Sequence, residues 1–133
     1  MTILQRVGIV IVALHALVAA GHSFSHFGMQ IYMALWQNVY IMIVIIVLPL
    51  VGGILLWRRS RAGFVLLFCS MLGSLLFGGY YHFINAGPDN VNSLGVHPWA
   101  FPFQVSALLL AVTEGAGAVV GVAGLLAKPG LRR

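Results

Sequence analysis

The sequence predicts an all-α integral membrane protein, a four-transmembrane-helix bundle with both termini cytoplasmic, and three observations predict it. The first is composition: of 133 residues, 61% are hydrophobic and 7% charged, and the mean hydropathy of +1.03 lies far outside the range of a soluble domain. The second is length. Four apolar runs of about 20 residues, the length a bilayer core requires, use nearly the whole chain, so residues 1–133 are expected to form a single membrane domain without a soluble catalytic module. The third is the placement of charge. Arg6, the Arg58-Arg59-Ser60-Arg61 turn, and Lys128 with Arg132 and Arg133 fall on one side of a four-span chain, while the two opposite loops hold no Lys or Arg. By the positive-inside rule that side is cytoplasmic. Topology therefore explains the formal net charge of +5, and the partner expected is the lipid bilayer, with no nucleic acid. The expected location is a bacterial-type cytoplasmic (inner) membrane.

Taken in order, the first span covers about residues 5–27. Its start has the layout of a secretory signal, with Arg6, a hydrophobic stretch and Val18-Ala19-Ala20 as a small-residue site; an uncleaved helix is the expectation. Gly28 to Asn38 is uncharged and carries Tyr32, Trp36 and Gln37, an interfacial composition that extends the first helix or lies flat. The second span, about 39–57, has no ionisable side chain and is read as scaffold, with Pro49 and Gly52-Gly53 predicting a kink or local unwinding midway. After the basic turn comes the third span, about 62–84, where Ser70, Ser74 and Gly78 recur every four residues and admit a close neighbour. The single cysteine, Cys69, is read there as a small buried hydrophobe, which excludes an intrachain disulfide and a CxxC metal motif. The outer loop, 85–101, contains the turn signal Gly87-Pro88-Asp89-Asn90, and Trp99 and Phe101 return the chain to the membrane surface. The last span, about 102–127, starts with Pro102, where proline is tolerated, and presents Gly117, Gly121 and Gly124 as an inward packing face.

The few titratable groups carry the functional signal, because each is costly inside a bilayer. His22 and His26 are four residues apart and so stack on one helix face; His15, seven residues before His22, falls in the same stripe. With four spans, His22 and His26 lie at the outer end of the first span, His82 at the outer end of the third, and Gln104 just inside the fourth, with Asp89 and His97 in the loop above. A faint parallel repeat, His26-Phe27 before Trp36-Gln37 and His82-Phe83 before Trp99 and Gln104, would make His26 and His82 symmetry mates. Glu114 reaches a depth close to that of His15, and the two are expected to meet as a buried polar pair.

Neutral imidazole is the commonest ligand for transition metals, and an i, i+4 pair supplies two ligands to one ion. His22, His26 and His82 are therefore candidate ligands for Cu, Zn or Fe, with an open fourth position and with Gln104, Asp89 and His97 as candidate supporting groups. Alternatively His22 and His82 hold haem b from opposite faces, Gly78 clearing space for the macrocycle. The motif HxxxH lacks the glutamate of the zinc-hydrolase signature HExxH, and no serine or cysteine nucleophile motif is present, so hydrolysis is disfavoured. Metal handling or electron transfer leads. A non-catalytic accessory subunit docked on partner membrane subunits, and a homo-oligomeric transporter or proton channel using Glu114 and His15, are the alternatives. Beside these stands the plain reading in which the histidines sit in the interface with ring nitrogens in water.

Overall fold

A computed structural model describes residues 1–127; Lys128, Arg132 and Arg133, on which part of the charge argument rests, lie outside the described residues. The described chain is all-helical. It comprises α1 (Ile3–Met29), α2 (Leu35–Tyr40) running through a π-helical segment (Ile41–Val47) into α3 (Leu48–Trp57), α4 (Ala62–Gly79) running into a second π-helical segment (Tyr80–Ile84), and α5 (Ala100–Leu126). These form four rods, Ile3–Met29, Leu35–Trp57, Ala62–Ile84 and Ala100–Leu126, each long and apolar enough to cross a membrane. Their outward faces carry large apolar side chains such as Leu17, Leu76, Leu108 and Val119, a surface suited to lipid rather than water.

Helix ends follow from local chemistry. Thr2 caps α1: its hydroxyl accepts from the Gln5 N–H at 3.2 Å and the Gln5 side chain accepts from the Thr2 N–H at 2.8 Å, a capping box that satisfies two otherwise orphaned donors. At the other end Gln30 adopts a left-handed conformation (φ 56°) and its N–H returns to the carbonyls of His26 and Phe27. The stretch 31–34 is then irregular. The interfacial segment thus neither extends the first helix nor lies flat as a whole: α1 stops at Met29, and Trp36 and Gln37 already belong to the second rod.

The second rod is irregular beside Pro49, as a local widening of the helix. Pro49 has no N–H to donate, and the irregularity falls on its N-terminal side, where the helix widens to π geometry and the Leu48 N–H bonds to the Ile43 carbonyl five residues back. Gly52 and Gly53 remain helical and buried. Around the bundle, α1 packs on α3 and α5, and α4 packs on α3 and α5, so the first and third rods are diagonal and meet through side chains in the middle. The α4–α5 contact is close: a Cβ on Gly121 would lie 2.7 Å from the Phe68 amide nitrogen, and the Phe64 ring covers Gly124. Because lipid is as apolar as leucine, such packing, rather than burial of apolar area, holds membrane helices together. Cys69 corrects the reading above: it is exposed, on the side of α4 away from the buried stripe Leu67, Ser70, Met71 and Ser74.

The interior is divided by depth. An apolar cluster of Val12, Leu56, Phe64, Leu67, Met71 and Ala118 fills the half nearest the basic turn, where the Arg61 guanidinium donates to the Leu125 carbonyl at 2.8 Å. The opposite half is lined by His15, His22, Ser25, His82 and Glu114, all buried.

Candidate metal centre

Three helical elements and one loop build this polar half. α1 supplies His22 and His26, one turn apart. The second π-helical segment supplies His82; its last turn is closed by the Asn85 N–H on the Tyr80 carbonyl at 2.7 Å. From there the loop folds back over its own helix end. The Val91 N–H donates to the His82 carbonyl at 3.0 Å, the Asn90 side chain donates to the Asn85 carbonyl at 3.0 Å, and the expected turn forms, with the Asn90 N–H on the Gly87 carbonyl at 3.1 Å. This return places Asp89 directly on the His82 ring.

The three imidazoles converge by their Nε2 atoms. His22 Nε2 lies 3.2 Å from His82 Nε2 and 3.1 Å from His26 Nε2, and one ligand atom from each of the three rings falls within 4.8 Å of the others. The partners of the opposite ring nitrogens determine what these atoms are. His82 Nδ1 faces the Asp89 backbone carbonyl at 3.1 Å, which can only accept, so the proton sits on Nδ1. His22 Nδ1 faces Ser106 Oγ at 2.8 Å. That hydroxyl donates back to the Pro102 carbonyl at 2.7 Å, as serines in helices do, so it accepts from His22 Nδ1–H. In the neutral rings, His22 Nε2 and His82 Nε2 are then both bare lone pairs pointed at each other. Only His26 has a proton to contribute to the three-nitrogen junction.

An arrangement of facing lone pairs calls for a cation between them. Nitrogens at 3.1 and 3.2 Å are close to the separation of roughly 3.3 Å that a tetrahedral ion with Zn–N bonds of about 2.0–2.1 Å imposes on its ligands. For His22 and His82 the ring partners also match what a ligating histidine requires, a hydroxyl or carbonyl acceptor on the second nitrogen, whereas His26 Nδ1 is buried without a partner. Asp89 adds a second indication. Both of its carboxylate oxygens are buried without a hydrogen bond, although Oδ1 lies 3.3 Å from His26 Nε2 and from His82 Nδ1. A buried carboxylate so poorly satisfied is costly, and a positive charge among the three rings offsets that cost. The residues present therefore fit a metal ion.

Other candidate residues fall elsewhere. His15 and Glu114 meet, Nε2 to Oε1 at 3.4 Å, both almost fully buried. Gly78 lies between the two groups: a Cβ there would stand 3.6 Å from His82 Cδ2 and 3.9 Å from Glu114 Oε2. Gln104 and His97 are not brought to the imidazoles. Gln104 donates to the Val91 carbonyl at 2.8 Å and so holds the loop to the start of α5, while His97 Nδ1 accepts from the Trp99 N–H at 3.2 Å on the exposed loop. The aspartate is thus the loop residue placed at the cluster. Two residues at the site escape sequence reasoning, Ser106 and Phe103. Phe103 is fully buried, with its ring centroid 4.8, 4.9 and 5.5 Å from those of His22, His26 and His82, closing the junction from the α5 side. Neither residue type at its spacing distinguishes a site from ordinary packing.

Fold and site together define a class: a small all-helical protein with four candidate membrane helices and a histidine triad, His22 and His82 buried and His26 partly so, compatible with a metal ion. No family model, curated protein or solved structure matches the chain.

Proposed function

We propose that this is an integral membrane protein that binds one transition-metal ion through His22, His26 and His82 near its outer face. The observation that carries the reading is the 3.2 Å approach of His22 Nε2 to His82 Nε2 with both Nδ1 protons already committed to acceptors. Asp89 supports it by supplying a buried negative charge beside two of the rings. Three imidazoles with a nearby carboxylate and no thiolate suit a borderline divalent ion, Zn(II) first and Fe(II) or Cu(II) after it. The three protein ligands leave a fourth position, the pattern of a site that exchanges or works on something, rather than a closed structural one. Metal handling, or electron transfer when the ion is Cu or Fe, is the role proposed.

Topology supports the placement. Arg6, Arg58, Arg59 and Arg61 all lie at the end of the bundle remote from the triad, so the positive-inside rule puts the termini in the cytoplasm and the metal site on the outer side. The same spacing favours an ion over haem b. A haem would need room for a flat macrocycle between the two imidazoles, whereas His22 Nε2 and His82 Nε2 stand 3.2 Å apart with the two rings in edge contact. Elemental analysis with oxidised and reduced absorbance spectra on one natively purified sample tests both. One equivalent of metal without a Soret band is expected; no metal and no Soret band would end the ligand reading in favour of an accessory subunit docked on partner helices.

One observation favours a second reading. The space above Gly78 adjoins both His82 and Glu114, so the triad and the His15–Glu114 pair form a contiguous run of ionisable groups, as a path for protons or metal ions would. Flux into proteoliposomes that Glu114→Gln abolishes would support transport; unchanged flux would exclude it.

A further inference from the structure

The end of the bundle remote from the triad concentrates positive charge that no acidic side chain balances. Arg58, Arg59 and Arg61 lie on the turn between the second and third rods. Arg6 lies on α1 at the same level: Gly8 meets Leu56, and Arg6 and Arg58 are each two residues nearer the end, about 3 Å at 1.5 Å per residue. All four arginines are exposed. The whole sequence has only two acidic side chains, and both, Asp89 and Glu114, lie against histidines in the opposite half. Arg61 holds the end of α5 through the Leu125 carbonyl. Among the described residues, the guanidinium groups of Arg6, Arg58 and Arg59 have no such acceptor. Helix electrostatics do not explain the cluster, because Arg6 is the fourth residue of α1 and Arg61 caps the start of α4, where a cation opposes the helix dipole. The backbone at Arg59 adds a second observation. Its N–H bonds to the Leu56 carbonyl and the Ser60 N–H to the Leu55 carbonyl, each at 2.9 Å, a Schellman ending whose left-handed residue is usually glycine. Arg59 holds that position at φ 61°, so a charged side chain stands where the backbone prefers none.

We propose that the basic end binds the headgroup of an anionic phospholipid, its phosphate taken by Arg58 and Arg59, with Arg6 adding to the local field. Guanidinium forks match phosphate oxygens two at a time, and basic clusters immediately beyond a membrane helix draw anionic lipid. The adjoining surface selects a lipid over free phosphate. Leu50, Ile54 and Trp57 recur at i, i+4 and i+7 along α3 and are all exposed, so they form one apolar stripe on which an acyl chain can lie. The stripe ends next to Arg58 in an indole, the side chain that favours headgroup depth. The proposal is independent of the metal; it rests on the placement of the chain in a bilayer.

The test is fluorescence quenching by brominated lipid. The chain has three tryptophans, so Trp36→Phe with Trp99→Phe leaves Trp57 as the single reporter, and Trp57→Phe with Trp99→Phe leaves Trp36 at the opposite end. Each full-length variant is reconstituted in phosphatidylcholine–phosphatidylglycerol vesicles of fixed composition, with bromine on the acyl chains of one lipid or the other. Trp57 is expected to prefer phosphatidylglycerol about tenfold at about 0.1 M salt, less at higher salt, while Trp36 shows no preference. Arg59→Gly should reduce the preference at Trp57 to about twofold, the effect of one arginine near an anionic surface. The same change suits the left-handed backbone, so a thermal melt should show no loss of stability and separates lipid binding from folding. Adding Arg58→Gln should remove what preference remains. Equal quenching by the two lipids at Trp57, a preference shared by Trp36, or a preference that survives Arg59→Gly with Arg58→Gln would overturn the proposal and leave the arginines to topology alone. Quenching of neither reporter by either lipid would overturn the bilayer placement, and the proposal with it.

Discussion

Ser106 Oγ accepts a hydrogen bond from His22 Nδ1 at 2.8 Å, joining α1 to α5 at the level of the triad. The hydroxyl fixes which nitrogen of His22 is bare. Ser106→Ala removes the acceptor and frees the ring to rotate or change tautomer, so zinc affinity should fall by about 10- to 100-fold, the usual effect of losing an outer-shell partner. Competition against a chelator of known affinity measures it. Unchanged affinity would show that His22 is not a ligand.

Asp89→Asn separates metal binding from stability. The backbone carbonyl that orients His82 remains, but the buried charge is lost. Zinc affinity should drop by about 10- to 100-fold, while the metal-free protein should be no less stable than before, because an unsatisfied buried carboxylate has been removed. Thermal unfolding with and without zinc reads both effects. A fall in metal-free stability at unchanged zinc affinity would instead make Asp89 a purely structural loop residue.

Protons should compete with the ion. All three imidazoles must be deprotonated at Nε2 to ligate, so zinc affinity should fall continuously as pH is lowered and binding should release protons. Titration calorimetry in buffers of different ionisation enthalpy measures the release. Affinity independent of pH between about 5 and 8, the range in which an ordinary imidazole changes charge, would contradict ligation by histidine.

Substitution of glycines should affect α5 unequally. Gly121→Ala places a methyl group 2.7 Å from the Phe68 backbone, which cannot yield without moving α4, and should cost about 1–3 kcal/mol of bundle stability. Gly115→Ala meets nothing within 4 Å and should be neutral or slightly stabilising. Retention of helicity through a thermal melt in detergent compares the pair.

Much of the fold is legible in the sequence because a bilayer demands the same thing of every span, a long apolar helix, whatever the tertiary arrangement. The sharing of one face by His22 and His26 follows from helical spacing alone. Less is legible where neighbours decide. Pro49 announces an irregularity without saying that the preceding seven residues widen to π geometry, and Cys69 is exposed because helix rotation, not local composition, selects the buried stripe. Gln104, Asp89 and His97 are indistinguishable as polar residues near one depth. Only the return of the loop, through Val91 on the His82 carbonyl, selects Asp89 and gives Gln104 a role in holding that loop. Ser106 is silent in sequence because a serine in a span can satisfy itself on its own helix.

The central claim, that one ion sits among three imidazoles, is tested most directly by X-ray absorption at the edge of the metal that co-purifies, or at the zinc edge after loading. The account predicts a first shell of nitrogen and oxygen at about 2.0–2.1 Å with multiple scattering from three imidazole rings, falling to two rings in His82→Ala. A first shell without imidazole scattering, or a spectrum unchanged by His82→Ala, would contradict it.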